Sequence, residues 1–401
     1  MEPVIDLTKE YGIVLEGGGA KGAYQVGAWR ALREAGIKIC AVAGTSVGAL
    51  NGALMCMDDY EGAKEIWENI SYSQIMDVDD EKMRQMLEGK MDFNEAVKTS
   101  MAYLTAGGVD ITPLKNLINA HIDEDKIRNS PVDFYLLTFN VDQMKEMDLD
   151  TAEIEPGLIK DFLLASAYIF PLFKNEKLHG KTYIDGGAIN NLPLDSLVKR
   201  DYKDIIMIRI FGIGREKKVK IPEDTNVYSI EPRIQLGNII DFDPKKSKRN
   251  MTVGYYDAMR MIYGLAGNIY YIEENKEECY YLNQLVDLDE AALVFLLEYY
   301  HLPDEESLRI KNLLTIILPI IAVELKLGVN WNYRDMYLAV LEATAKLCKV
   351  KKYRIYTVEE LAELVREKQF VLQEKENIPA FVSIIMNYRN HKAEEVDEIE
   401  E

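Results

Sequence analysis

The sequence predicts an α/β fold with a central, mostly parallel sheet, followed by an all-helical C-terminal domain. Three observations carry this. Two buried-strand patterns, each followed by a helix pattern, occupy residues 11–57; apolar strand-like runs return as far as about residue 232; and beyond roughly residue 280 the apolar residues recur only at helical spacing. The chain has 401 residues, 48% hydrophobic and 28% charged, which is long for a single domain and ordinary for a folded protein. The expected division is a large α/β domain over 1–278, a helical accessory domain over 279–390, and an acidic tail over 391–401 that is too charged to pack.

The elements follow in order. Ile13 to Leu15 read as a short buried strand ending at a glycine cluster, and Ala20 to Ala35 as a helix with Gly36 at its C-terminal stop. "IKICAVA" is a second buried strand and "VGALNGALMCM" a helix of small residues, so the opening is a parallel βαβ unit. Asp58 to Asn129 is helical and rich in methionine; adaptable thioethers could line a pocket for flexible chains or simply pack helices. Further strands are expected in "PVDFYLLTFN", "KTYIDGG", "KDIIMIRIFG" and "TNVYSIEP", then a long helix over Asn250 to Ile272. The longest apolar run, "LLTIILPIIAV", is interrupted by a proline and falls well short of the ~20 residues that span a bilayer, so it reads as a kinked buried helix.

Charge and cysteine content narrow the function. With 67 acidic against 47 basic residues the net charge is −20, which opposes nucleic acid. The basic stretch "DPKKSKR" reads as a solvated turn, with lipid-headgroup docking as the lesser alternative, and no function is assigned to it. Four scattered cysteines without paired spacing suggest neither a disulfide framework nor a zinc site, and the acidic N-terminus lacks the pattern of an export signal. A cytoplasmic location is the expectation.

The chemistry concentrates in three loops. "GTSVG", Gly44 to Gly48, occurs by chance in on the order of one chain in ten of this length. Here it lies between a buried strand and a helix, where a nucleophile elbow projects its serine, Ser46, above the sheet edge. "GGGAKG", Gly17 to Gly22, lies after the neighbouring parallel strand and so on the same edge, where successive glycine amides can face an anion. It also fits a loose dinucleotide fingerprint, but the next strand ends without the acidic residue that a ribose requires, and Lys21 is not followed by Ser or Thr as in a phosphate loop. None of the four histidines sits in a convincing motif, which leaves Asp185 in "YIDGG" as the candidate base: a strand end followed by Gly186 and Gly187 can present a carboxylate.

These three motifs in order, together with "LLASAYIFPLF" (Leu163 to Phe173), resemble the patatin-like phospholipases over about residues 10–275. The resemblance implies a three-layer α/β/α fold and acyl-ester hydrolysis through an acyl-serine, without metal or other cofactor. It makes Ser46 the nucleophile, Asp185 the general base and the Gly17, Gly18 and Gly19 amides the oxyanion donors. Lys21 takes the place the family fills with Arg or Lys, either adding charge or anchoring the loop. The implied substrate is a phospholipid or acylglycerol ester, with peripheral membrane contact. A soluble short-chain esterase or acyltransferase would use the same residues, and a non-catalytic lipid-binding scaffold is the alternative of another class.

Overall fold

In the computed structural model, residues 1–174, 176–372 and 377–386 are described. The chain divides into two compact units at Tyr263/Gly264.

The first unit is built on a seven-stranded sheet in the order β4-β3-β2-β1-β6-β7, with β5 pairing β3. Its strands are β1 (Glu10–Leu15), β2 (Lys38–Thr45), β3 (Asp133–Asn140), β4 (Lys145–Asp150), β5 (Tyr183–Asp185), β6 (Asp204–Ile208) and β7 (Asn226–Ile230). The pairs β1/β2, β1/β6, β2/β3 and β6/β7 are parallel, and only β4 and β5 run antiparallel to β3. The two sheet faces are buried differently, as strand alternation requires. Val14, Ala41, Ala43, Tyr135 and Ile205 pack with Leu194 and Leu197 of a short helix, Leu194–Val198. On the other face, helix α2 (Val47–Cys56) brings Gly52 against Val42 and Phe134. Helices on both faces make the three layers.

Differences from the expected elements are local. The glycine loop closes in a 3₁₀ turn, Gly19–Gly22, before helix α1 (Ala23–Glu34) begins. The long helix runs over Pro244–Tyr263, so it takes in most of the basic stretch read as a turn and stops before the expected Ile272. β4 was not expected: its sequence "KEMDLD" alternates polar and apolar residues as an edge strand does, but its charge masks the signal.

The second unit is helical, with main helices over Glu278–Val286, Glu290–Tyr299, Leu318–Glu324, Tyr333–Leu347 and Val358–Glu367. A π turn at Leu313–Ile317 directly precedes Pro319, where the helical ladder lacks a donor. This region is not purely helical: Tyr271–Glu273 pairs in parallel with Ile355–Thr357. Glu342, 2% exposed, accepts the amides of Asn268, Ile269 and Tyr270 at 2.9, 2.9 and 2.7 Å. These contacts draw residues 264–278 into the helical unit, which is why the break lies earlier than 278. The expected tail, 391–401, lies outside the described residues.

Candidate active site

Register alone brings the two predicted reactive residues together. β2 pairs with β3 up to Thr45↔Leu137, and β5 then takes over the same edge of β3 at Thr138↔Asp185. Thr45 and Asp185 thus face consecutive positions of one strand, and Ser46 directly follows Thr45. The Ser46 hydroxyl is close enough to the Asp185 carboxyl to favour its ionised form.

Ser46 occupies the sharp turn between β2 and α2, with φ 56° and ψ −126°. Such a conformation is costly for a residue with a Cβ and persists because the surroundings impose it. Gly44 and Gly48 make that turn possible: a Cβ on Gly44 would lie 2.4 Å from the Gly48 carbonyl carbon, and one on Gly48 would lie 2.3 Å from the Leu15 carbonyl oxygen. The Ser46 amide donates to Ser166 Oγ at 2.8 Å, and Ser166 Oγ donates to the Leu137 carbonyl at 2.6 Å. Ser166 therefore ties the turn to β3 one position from where Asp185 pairs. Ser166→Ala would leave the buried Ser46 amide without its acceptor, a cost of roughly 1–3 kcal/mol. The expected result is a lower kcat at nearly constant KM, with Ser166→Thr recovering part of it; an unchanged kcat in Ser166→Ala would contradict the role.

Asp185 ends β5, and its Oδ1 accepts the Gly187 amide at 2.7 Å. Burial pushes its carboxyl up to about 6, against the opposing hydrogen bonds from Ser46 and Gly187. A Cβ on Gly186 would lie 2.7 Å from the Leu137 carbonyl, so this turn also sits tight against β3.

The glycine loop is held by groups the motif does not show. Glu16, 1% exposed, accepts the amides of Ile210, Phe211 and Gly212 at 2.7, 3.0 and 3.2 Å. Burial raises its carboxyl, and Arg209 opposes that from 3.7 Å. Lys21 anchors rather than reaches toward Ser46: its ammonium donates to the Phe211 carbonyl at 2.5 Å, and burial lowers its pKa. Gly22 abuts Val47, from which a Cβ would be 2.4 Å. The Gly17 amide, predicted as an oxyanion donor, instead donates to the Asn191 carbonyl at 3.0 Å, while Asn191 Nδ2 donates back to the Gly17 carbonyl at 3.0 Å. Gly17 is thus spent on loop structure. Among the described residues, the Gly18 and Gly19 amides have no protein acceptor, nor do the Val47 and Gly48 amides that open α2. Glu16, Ser166 and Asn191 are the positioning residues that motif reading did not assign.

Gly19 and Ser46 open onto an apolar pocket with a cavity volume of about 80 Å³. Val47, Leu50 and Leu54 from one face of α2 line it, with Trp67, Ile118 and Phe242 opposite or beside them. The helical stretch between residues 58 and 129 does supply wall, but through Leu, Ile and Trp; Met76 and Met83 are buried elsewhere and Met101 is exposed. His121 borders the pocket without a hydrogen bond to Ser46 or Asp185, and His179 pairs with Asp161 at 2.8 Å. His391 lies outside the described residues. Among the described residues no group of three or more His, Cys, Asp or Glu is placed to hold a metal, and no helix is long and apolar enough to cross a membrane.

Comparison with known proteins bears on this site. The family model "Patatin-like phospholipase" matches residues 13–198. Patatin-like phospholipase domain-containing protein 7 of Rattus norvegicus is 30% identical over 200 residues, 49% of this chain and 13% of that protein. Neuropathy target esterase sws of Drosophila melanogaster is 28% identical over 206 residues, 50% of this chain and 13% of that protein. The chain thus matches about an eighth of the length of either relative. VipD from Legionella pneumophila is a distant structural neighbour, with 14% identity and a TM-score of 0.40 over 90% of this chain and 84% of that one. The glycine loop, the serine elbow and the aspartate turn all lie within the span, residues 13–198, that matches the patatin-like phospholipase family model.

Proposed function

We propose that this chain is a serine lipid acyl hydrolase that cleaves phospholipid or acylglycerol esters with Ser46 as nucleophile and Asp185 as general base. The observation that carries the reading is that the strands place Ser46, on its strained turn, beside the buried Asp185 carboxyl of raised pKa, with Ser46 lining an apolar pocket. The names of the relatives, a phospholipase and an esterase, agree with it.

The steps use these groups alone. Ser46 Oγ attacks the ester carbonyl carbon as its proton passes to Asp185. The carbonyl electron pair moves onto oxygen, and the Gly18 and Gly19 amides are the donors available to that oxyanion. Collapse expels the alcohol, which takes the proton from Asp185. Water then attacks the acyl-serine, giving its proton to Asp185, and the fatty acid leaves as Ser46 is reprotonated. The pocket beside Ser46 takes the acyl chain, whose burial favours binding by about 0.8 kcal/mol per methylene. Free cysteines throughout the described residues suit a reducing compartment such as the cytoplasm.

The test is hydrolysis of p-nitrophenyl esters of increasing chain length. kcat/KM is expected to rise beyond butyrate; a fall there would favour the short-chain esterase instead. A second expectation concerns pH. Asp185 accepts a proton only when ionised, so its raised pKa moves the acidic limb of the kcat/KM profile up to about 6. Activity rises as pH passes upward through that value. A limb near 4, where an ordinary aspartate titrates, would contradict the assignment.

A further inference from the structure

The segment Phe211–Ile221, "FGIGREKKVKI", runs against the acidity of the chain as a whole. Arg215, Lys217, Lys218 and Lys220 stand against Glu216, a local charge of +3 in a protein of −20. Lys217 is engaged by Glu146 and Asp195, and Glu216 by Arg209. Arg215, Lys218 and Lys220 are exposed and form no ion pair among the described residues. Between these cations lie large apolar side chains in solvent: Phe211 is 47%, Ile213 78% and Ile221 43% exposed. The acidic Glu223 and Asp224 come only after Pro222, and Asp224 is paired with Lys203.

The segment is fixed to the site. The Phe211 carbonyl receives Lys21, Gly212 packs on Gly18, the Arg215 amide donates to the Gly187 carbonyl at 2.9 Å, and the Arg215 carbonyl accepts the Asn191 amide at 2.6 Å. Val219 turns inward onto the cluster that contains Leu192 and Leu194. The backbone therefore bridges the glycine loop and the aspartate turn while its cations and isoleucines face water.

We propose that Phe211–Ile221 is a docking loop for an anionic phospholipid surface. Ile213 and Ile221 enter the interface, and Arg215, Lys218 and Lys220 meet the headgroups. Cations interleaved with exposed apolar side chains are the pattern that binds such surfaces, each cation contributing through the surface potential. A chain of −20 is as a whole repelled by an anionic bilayer, so contact is confined to local cationic segments such as this one. The purpose of the loop rests on the hydrolase reading; its chemistry does not.

The experiment is flotation of the full chain carrying Ser46→Ala, which removes turnover, with vesicles of phosphatidylcholine plus phosphatidylglycerol and with vesicles of phosphatidylcholine alone. Binding is expected to the anionic vesicles, to weaken with salt, and to fall by at least about tenfold on adding Lys218→Glu and Lys220→Glu. Ile213→Asp is expected to weaken it further, and Lys218→Arg with Lys220→Arg to retain it. The same loop substitutions in the chain with Ser46 intact should leave hydrolysis of a monomeric soluble ester unchanged, which also reports folding. Failure of the parent chain to bind anionic vesicles, or equal flotation of the Lys218→Glu/Lys220→Glu chain, would overturn the proposal; so would a loop that captures only acidic protein. Loss of the hydrolase reading would instead appear as soluble-ester turnover indifferent to Ser46→Ala, with the vesicle result unaffected.

Discussion

Ser46→Ala is expected to lower kcat by on the order of 10⁶, to the level of the uncatalysed background plus whatever binding and the glycine amides retain. The loss is chemical, not structural. Ser46 makes no side-chain cap to α2, so alanine removes no helix-terminus hydrogen bond, and it adopts the same φ of 56° at similar cost. The folded protein should therefore melt within a few degrees of the parent. Ser46→Gly goes the other way on stability: glycine accepts positive φ without penalty, so that variant should be inactive and more thermostable. Steady-state kinetics and thermal melting on the same preparations check both halves. An alanine variant that turns over at more than a hundredth of the parent rate would remove Ser46 from the mechanism.

Asp185→Asn is expected to cost roughly 10⁴ in kcat, the scale seen when an orienting or proton-accepting carboxylate is replaced by its isosteric amide. Asparagine keeps an oxygen for the Gly187 amide but cannot take the Ser46 proton. KM should change little, because Asp185 is not among the residues lining the pocket. Stability should follow the linkage sign. The folded carboxyl titrates near 6 and the unfolded one near 3.8, so folding favours the protonated form; the parent gains stability as pH falls from about 6 toward 4 and carries a constant penalty above. Asp185→Asn removes that penalty and is expected to be at least as stable as the parent at pH 8. A variant markedly less stable at pH 8 would show that the carboxylate is structural.

Much of this arrangement is legible in the sequence because backbone demands are written in glycine. Gly44 and Gly48 announce the turn at Ser46, Gly186 and Gly187 the turn after Asp185; Gly44, Gly48 and Gly186 abut backbone atoms that leave no room for a Cβ, and Gly187 abuts the Asn191 side chain. The βαβ opening is equally plain, since strands buried on both faces read as apolar runs. What is hidden depends on partners distant in the chain. The Gly17 amide is claimed by Asn191, and Glu16 by residues 210–212, pairings that no local pattern encodes. Ser166 lies within a recognisable motif, yet its contact with the Ser46 amide arises only because both residues meet beside Leu137 of β3. The Tyr271–Glu273 strand was read as the end of a helix, because three residues carry too little periodicity to separate the two.

The most direct measurement is to treat the protein with a fluorophosphonate and locate the adduct by peptide mass mapping. One equivalent of phosphonate on Ser46, forming more slowly by orders of magnitude in Asp185→Asn, is the predicted result. An adduct on another residue, or labelling at the same rate without the aspartate, would contradict the account.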